Sequence, residues 1–368
     1  MHFLFITGPL NAGGAERVLL DLLPHIDYRQ HRVTLCQIVG GGILAAEISD
    51  AVQHCALWSH YGCSFSAAWH SSLRLGFHGL LRRRARRILR ESYDVAISFL
   101  EGAPLRIHAL TMPRAQRHYS WVHCDLNQFP YERAQFRNER EEQAAYNAMD
   151  GIICVSHDTE HAFHRRFPAC TTPTRTIFNP IDIGKIQRMS RMAEIPRQPF
   201  TVLCLGRFTA PKRFDRVIRV AALLRDIAPE IHFVIMGQGE LRESLQQQID
   251  ACGMADRVQL LPFCPNPYPR LKAADLLLSS SMAEGFSLVL CEALVLGVPV
   301  VSTRTAGPAE IIGHNHCGLL CAHDDAAIAE AILTMYRSPE LRQRCIRAGL
   351  ERVRDFDVHH AIQELNTL

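Results

Sequence analysis

The chain has 368 residues, 48% apolar and 21% charged, with a formal net charge of +3. That length exceeds what one hydrophobic core organises and predicts two domains. The composition is that of an ordinary globular protein, and so small a net charge argues against a dedicated nucleic-acid binder. No apolar run approaches the roughly 20 residues that span a bilayer. The first residues, Met1 to Gly8, lack the basic n-region and long apolar core of a signal peptide. The thirteen cysteines are an odd number without a Cys-x-x-Cys pair, and several sit in apolar runs. They predict a reduced, cytoplasmic protein without zinc or a disulfide framework.

Phe3 to Ile6 is a short continuous apolar run, the mark of a parallel strand buried on both faces. It leads into Gly8-Pro9-Leu10-Asn11-Ala12-Gly13-Gly14-Ala15-Glu16-Arg17 and a helix carrying Val18, Leu19, Leu22 and Leu23. Strand, glycine-rich loop and helix start can cradle a phosphate, although a tight turn asks for the same glycines. The spacing matches neither G-x-G-x-x-G nor a P-loop. Arg32 to Ile38 is a second strand, and residues 40–72 read as irregular.

Leu73 to Ser92 is predicted as one amphipathic helix. Leu73, Phe77, Leu80, Leu81, Ile88 and Leu89 share a face, and seven arginines crowd the rest. Two readings stand: a sheet-covering helix with a solvated basic face, or a footprint for anionic lipid head groups. Tyr93 to Phe99 and Tyr119 to Asp125 are strands ending in polar residues. Ligands of open α/β sheets gather at carboxyl ends of strands, which nominates Glu101, His123 and Asp125. A charged helix over Glu132 to Met149, a strand from Gly151 to Val155, a helix from His157 and a strand from Arg175 to Phe178 complete the first half. Gly184 to Arg197 is polar and reads as a linker.

The second half repeats the build. Phe200 to Leu205 is a strand, Gly206-Arg207-Phe208 ends it, and Lys212 opens the next helix. Two cations past a strand end can clamp a diphosphate or remain surface charge. Strands Ile231 to Met236 and Val258 to Phe263 follow, with the lone Gly237-Gln238-Gly239 between them. Leu276 to Leu278 then runs into Glu284-Gly285-Phe286-Ser287-Leu288-Val289-Leu290-Cys291-Glu292, where Ser287 is placed to cap a helix that Gly297 ends. Three and four residues from Glu292 lie Leu288, Val289, Val295 and Leu296, which predicts Glu292 on the buried stripe, in need of a polar partner. Glu284 precedes the same helix, where free backbone N–H groups favour anions. A ligand with a phosphate and several hydroxyls suits this pair. Two such halves facing one another would form a nucleotide-sized cleft.

With these motifs the chain resembles the retaining nucleotide-sugar glycosyltransferases of family 4, of the bacterial surface-polysaccharide type. The resemblance rests on Glu284 and Glu292, on Gly206-Arg207-Phe208 with Lys212, on Gly237-Gln238-Gly239, and on Gly13-Gly14-Ala15-Glu16-Arg17. Trp121-Val122-His123 and Thr305-Ala306-Gly307-Pro308-Ala309-Glu310 add to it, and only residues 40–72 match nothing. It implies an α/β protein of two facing doubly wound Rossmann-like domains, the GT-B fold. Residues 1–183 would be the acceptor-side domain, with a C-terminal helix at about 355–368 packing back on it, and residues 198–354 the nucleotide-sugar domain.

The resemblance also implies roles. Arg207 and Lys212 neutralise the donor diphosphate, Glu284 and His123 contact the transferred sugar, and Glu292 accepts hydrogen bonds from the ribose. Gly14, Gly237, Gly285, Phe286, Ser287 and Leu288 line the donor, and no cofactor or metal is required. The activity expected is transfer of a hexose or N-acetylhexosamine, with retention, from a UDP-sugar to a lipid-linked oligosaccharide, lipopolysaccharide or capsule acceptor. The expected location is the cytoplasm, peripheral on the inner face of the cell membrane. A sugar-nucleotide epimerase of the same shape would instead release product from donor alone, and a non-catalytic partner subunit would have lost some of these polar groups. A glycoside hydrolase is excluded because its carboxylates flank one bond from separate walls, about 5–9.5 Å apart.

Overall fold

A computed structural model describes residues 1–11, 13–127, 134–196, 200–313 and 316–368. The chain forms two compact units, one of Met1–Pro180 with Val358–Leu368 and the other of Ile181–Asp357.

The first unit is built on seven strands, β1 (His2–Thr7), β2 (Arg32–Val39), β3 (Gln53–Trp58), β4 (Tyr93–Ser98), β5 (Ala115–Val122), β6 (Gly151–Cys154) and β7 (Thr174–Thr176). They lie in the order β3-β2-β1-β4-β5-β6-β7, all parallel, with Phe5 level with Leu35 on one side and Ile97 on the other. Helices cover both faces of such a sheet, so β1 is buried along its whole length. The C-terminal helix Val358–Leu365 belongs to this unit, with His359 edge-on to His25 and Thr367 accepting a hydrogen bond from Arg175.

The second unit has six parallel strands, β8 (Thr201–Leu205), β9 (His232–Met236), β10 (Val258–Leu261), β11 (Leu276–Ser279), β12 (Val300–Thr303) and β13 (Leu319–Cys321), ordered β10-β9-β8-β11-β12-β13. In each sheet the chain winds outward one way from a central strand and then returns to start the other way. The switch points lie between β1 and β4 and between β8 and β11, and crevices for ligands open at the carboxyl ends of such strand pairs.

Several expectations are corrected. The helix expected over Leu73 to Ser92 is two helices, Cys63–Leu75 and Gly79–Ile88. Gly76 breaks it by adopting a left-handed φ of +68° that ends the first helix. The second helix restarts in a new phase, so Leu81 and Leu89 are buried while Phe77 and Leu80 face solvent. Residues 40–72 are not irregular, since they hold β3 and most of the first of these helices. The polar stretch read as a linker begins with a helix, Ile183–Met189, whose Ile186 is buried and whose Met189 carbonyl accepts from Asn266. Arg197, Pro199 and the residue between them lie outside the described residues, as do Glu132 and Arg133 of the charged helix, which is described over Glu139–Asn147.

Candidate active site

In the second unit the loops after β8, β11 and β12 are stitched into one surface. Ser280, just past β11, donates its hydroxyl to the Lys212 carbonyl at 2.8 Å, and the Met282 N–H donates to the Pro211 carbonyl at 2.8 Å. Gly307, in the helix after β12, donates its N–H to the Glu284 carbonyl at 3.1 Å. Only glycine fits there, because a Cβ would lie 2.7 Å from the Gly285 oxygen and the Phe286 Cα. The same holds for Gly237, where a Cβ would overlap the Gly206 carbonyl oxygen, so its role is close packing of two loops.

Across this surface the Lys212 ammonium donates to Glu284 Oε1, which also accepts the Ser281 hydroxyl at 2.7 Å. Both side chains are half-buried, which strengthens the pair relative to a fully solvated one. Lys212 ends a 3-10 turn, Ala210–Lys212, and does not open the helix, which runs over Phe214–Leu224. Between them Arg213 holds a left-handed φ of +52°, secured by two hydrogen bonds to Asp215. Strain of this kind persists where the surroundings over-determine it. Arg207, on the loop after β8, is exposed.

Glu292 departs from expectation. It is half-buried, because the core face of its helix, Leu288–Val295, carries Leu290, Cys291, Ala293 and Leu294 instead. Its Oε1 accepts the Tyr268 hydroxyl at 3.1 Å, which supplies the polar partner the sequence asked for. Ser287 occupies the N-cap position with its side chain buried but makes no capping bond. Phe286 is buried edge-on against Phe356, Gly285 is buried, and Leu288 is half-buried.

In the first unit, Gly13 is the N-cap and Gly14 the first residue of helix Gly14–Leu22, with the Glu16 carboxylate folded over Gly13. His123 follows β5, its ring packed against Phe99 and Trp121. Both ring nitrogens are shielded from solvent without a hydrogen-bond partner among the described residues, and burial pulls the imidazole pKa down to about 3. It is therefore neutral, with one N–H to donate and one lone pair to accept. Glu101 is buried, and that desolvation raises its pKa; its carboxylate accepts the His123 N–H at 2.9 Å and the Cys124 thiol at 3.0 Å. It shapes the loop that carries His123. Asp125 accepts from the Asn127 N–H and side-chain amide, a local turn.

Residues matching two family descriptions span nearly the whole chain, Glycosyltransferase Family 4 over residues 12–185 and Glycosyl transferases group 1 over residues 185–352. The chain belongs to the family 4 glycosyltransferases. Among curated relatives, the lipopolysaccharide core biosynthesis glycosyltransferase LpsD of Rhizobium meliloti is 30% identical over 44% of this chain and 46% of its own. The N-acetylgalactosamine-N,N'-diacetylbacillosaminyl-diphospho-undecaprenol 4-alpha-N-acetylgalactosaminyltransferase of Campylobacter jejuni is 29% identical over 58% of each. This family 4 chain thus spans about half the length of the curated relatives it matches. The crystal structure of Anabaena HepE in complex with UDP superposes with a TM-score of 0.78 at 20% identity, covering 100% of this chain and 99% of that one. The two parallel-sheet Rossmann-like domains are those of the GT-B glycosyltransferases.

Ser281 and Tyr268 escaped the sequence reading. Ser280-Ser281 could have been nominated, since they stand at a strand's carboxyl end as Glu101 does. Tyr268 carried no signal, because its meeting with Glu292 depends on how two helices pack.

Proposed function

We propose that this glycosyltransferase moves a hexose or N-acetylhexosamine from a UDP-sugar to a lipid-linked oligosaccharide, lipopolysaccharide or capsule acceptor, with retention and without a metal. The observation that carries the reading is the Lys212–Glu284 pair at the β8/β11 switch point, with Arg207 exposed on the same loop. In this reading Glu284 holds the Lys212 ammonium in place, and Lys212 with Arg207 stabilises the charge that grows on the leaving diphosphate. Glu284 takes a sugar hydroxyl, and Glu292, already bonded to Tyr268, takes the ribose. Gly237, Gly285, Phe286, Ser287 and Leu288 shape the donor site. In the first unit, Gly14 and His123 contact substrate, the neutral imidazole as a hydrogen-bond partner. The acceptor hydroxyl attacks the anomeric carbon on the face from which the diphosphate departs, and the departing phosphate oxygen takes its proton.

UDP in the HepE complex and the diphospho-undecaprenol in the Campylobacter relative's name support the donor and acceptor classes. No helix among the described residues is long and apolar enough to cross a membrane. We assign the chain to the cytoplasm, with membrane contact through the arginine-rich helix Gly79–Ile88. The test is thermal stability with UDP, GDP, ADP and NAD, each with and without EDTA. A ligand at 100 times its Kd adds about 2.7 kcal/mol. Stabilisation by UDP that EDTA leaves unchanged is expected; stabilisation by NAD alone would replace the transferase with a redox enzyme.

A further inference from the structure

Asp50 and Glu91 bracket a stretch without a single carboxylate that nonetheless carries seven arginines, at positions 74, 82, 83, 84, 86, 87 and 90. Arginines three and four apart on a helix repel one another, at a cost of about 0.2–0.5 kcal/mol per pair. Helix Gly79–Ile88 holds Arg83 and Arg87 in that relation, and neither has a carboxylate partner among the described residues. An anion bound between them would relieve that repulsion.

The fold places a hollow where such an anion fits. A cavity of about 390 Å³ opens beside the carboxyl end of β3, between helices Cys63–Leu75 and Gly79–Ile88. Arg83, Arg84 and Arg87 line it on one side, and Trp58 and Leu80 supply an apolar wall. Arg84 is fixed there, donating its Nε to the Leu57 carbonyl and lying 5.9 Å from the centre of the Trp58 ring. Arg83 and Arg87 keep their guanidinium groups in water. Ser64 brings the wall to the first turn of helix Cys63–Leu75, which has no side-chain cap among the described residues and whose dipole favours negative charge.

Large apolar side chains are exposed on the lining and on the segments next to it in the chain, which a simple anion site would not need. Leu80 is 43% exposed, and just before it in the chain Phe77 is 57% and Leu75 78% exposed. Tyr61, 66% exposed, stands edge-on to Phe65, which in turn packs against Trp58. Leaving so many large apolar groups bare is costly for a protein surface unless something covers them. Three arginines beside the exposed Leu80 and the Trp58 wall match a ligand that is anionic at one end and hydrocarbon at the other.

We propose that this hollow binds the phosphate or diphosphate head of an isoprenoid-type lipid, with Arg83 and Arg87 on the phosphate oxygens and the first part of the hydrocarbon along Leu80 and Trp58. The assignment rests on the reading of the chain as a transferase to a lipid-linked glycan, and makes this hollow the place where the carrier is held while its sugar end is extended. Guanidinium groups suit the task because they pair bidentately with phosphate oxygens.

The test uses the full chain and three soluble probes, farnesyl diphosphate below its micelle concentration, inorganic diphosphate and farnesol, titrated by calorimetry. Farnesyl diphosphate is expected to bind at least tenfold more tightly than either of the others. The exposed-site variant Arg83→Ser/Arg87→Ser should lose at least tenfold for it, while Arg86→Ser/Arg90→Ser, which line a separate cavity with Thr111 and Arg114, should lose less than threefold. Equal affinity for inorganic diphosphate would reduce the hollow to a plain anion site and overturn the proposal. Equal affinity for farnesol, or equal losses in the two double variants, would overturn it as well. So would binding only to phosphatidylglycerol vesicles, which would mean attachment to a membrane surface. UDP-induced thermal stabilisation of the same proteins separates the two readings. If UDP stabilises and farnesyl diphosphate shows no selectivity, the hollow fails alone; the reverse result leaves the hollow and removes UDP as the leaving group of the donor.

Discussion

Lys212 and Glu284, 72 residues apart in the chain, form an ion pair across the point where the second sheet reverses its strand order. The Ser281 hydroxyl donates to the same carboxylate oxygen, so Glu284 anchors a cation and a hydroxyl together. Its substitution therefore disturbs the contacts between these loops more than the core.

Glu284→Ala is expected to lower transfer by roughly 10²–10³-fold, the scale of losing one preorganised electrostatic group, while Tm moves by only a few degrees. Initial rates and a melting curve on one preparation check this. Transfer at the wild-type rate would sink the site assignment.

Gly307→Ala places a methyl group against the backbone of Gly285 and Phe286, atoms that cannot swing aside. Stability should fall by about 1–3 kcal/mol, as for an overpacked core, and UDP affinity should fall too as the Glu284 loop is displaced. Calorimetric titration with UDP reads the second effect; unchanged affinity would show that this loop does not touch the donor.

Arg106 is a buried cation in the first unit, donating to the Gln135 carbonyl and the Ser72 hydroxyl at 2.9 Å each and paired with Glu141 at 3.3 Å. Its guanidinium also lies against the rings of Trp69 and Phe136. Glu141→Gln would leave that charge unpaired, and Arg106→Ala would remove the hub altogether. Loss of about 3–5 kcal/mol is expected for Arg106→Ala, measured by urea denaturation. A loss below 1 kcal/mol would mean that solvent replaces the network.

Burial lowers His108 and His123 to about 3, far below the value of a free histidine near 6.5. His108 is held neutral against His118, itself lowered by burial, with Nε2 and Nδ1 3.0 Å apart. The unfolded chain binds protons on these rings below about pH 6.5 and the folded chain does not, so stability is full above that pH and falls as pH drops toward 3. Between pH 6.5 and 5 each buried ring should cost about 2 kcal/mol. His108→Gln should flatten that slope in urea titrations at several pH values; an unchanged slope would show that the ring is solvated.

Changing Arg82, Arg83, Arg86 and Arg87 to Ser should weaken sedimentation with anionic vesicles, by about 1 kcal/mol per side chain removed from the surface. Unchanged sedimentation would return helix Gly79–Ile88 to a solvated cover of the sheet.

Much of the fold was legible because parallel strands buried on both faces must be apolar throughout, and Phe3 to Ile6, Val202 to Leu205 and Leu276 to Leu278 are. The candidate site was legible where its residues cluster in sequence, as Glu284 to Glu292 do. Where a glycine resets the chain, periodicity misled. Gly76 split the arginine helix and turned Phe77 and Leu80 outward, which an unbroken helical repeat could not foretell.

By itself the amino-acid order determined the strand–helix alternation, the two-part organisation and the loops that carry Arg207, Lys212, Glu284 and His123, because these depend on local burial patterns and backbone freedom. Only the tertiary structure decided that Lys212 meets Glu284, that Tyr268 satisfies Glu292, that the His123 ring is neutral, and that three arginines share one hollow with Trp58. Each of these is set by strand order and helix packing between distant segments, and neither spacing nor composition encodes the distances on which electrostatics and hydrogen bonding depend.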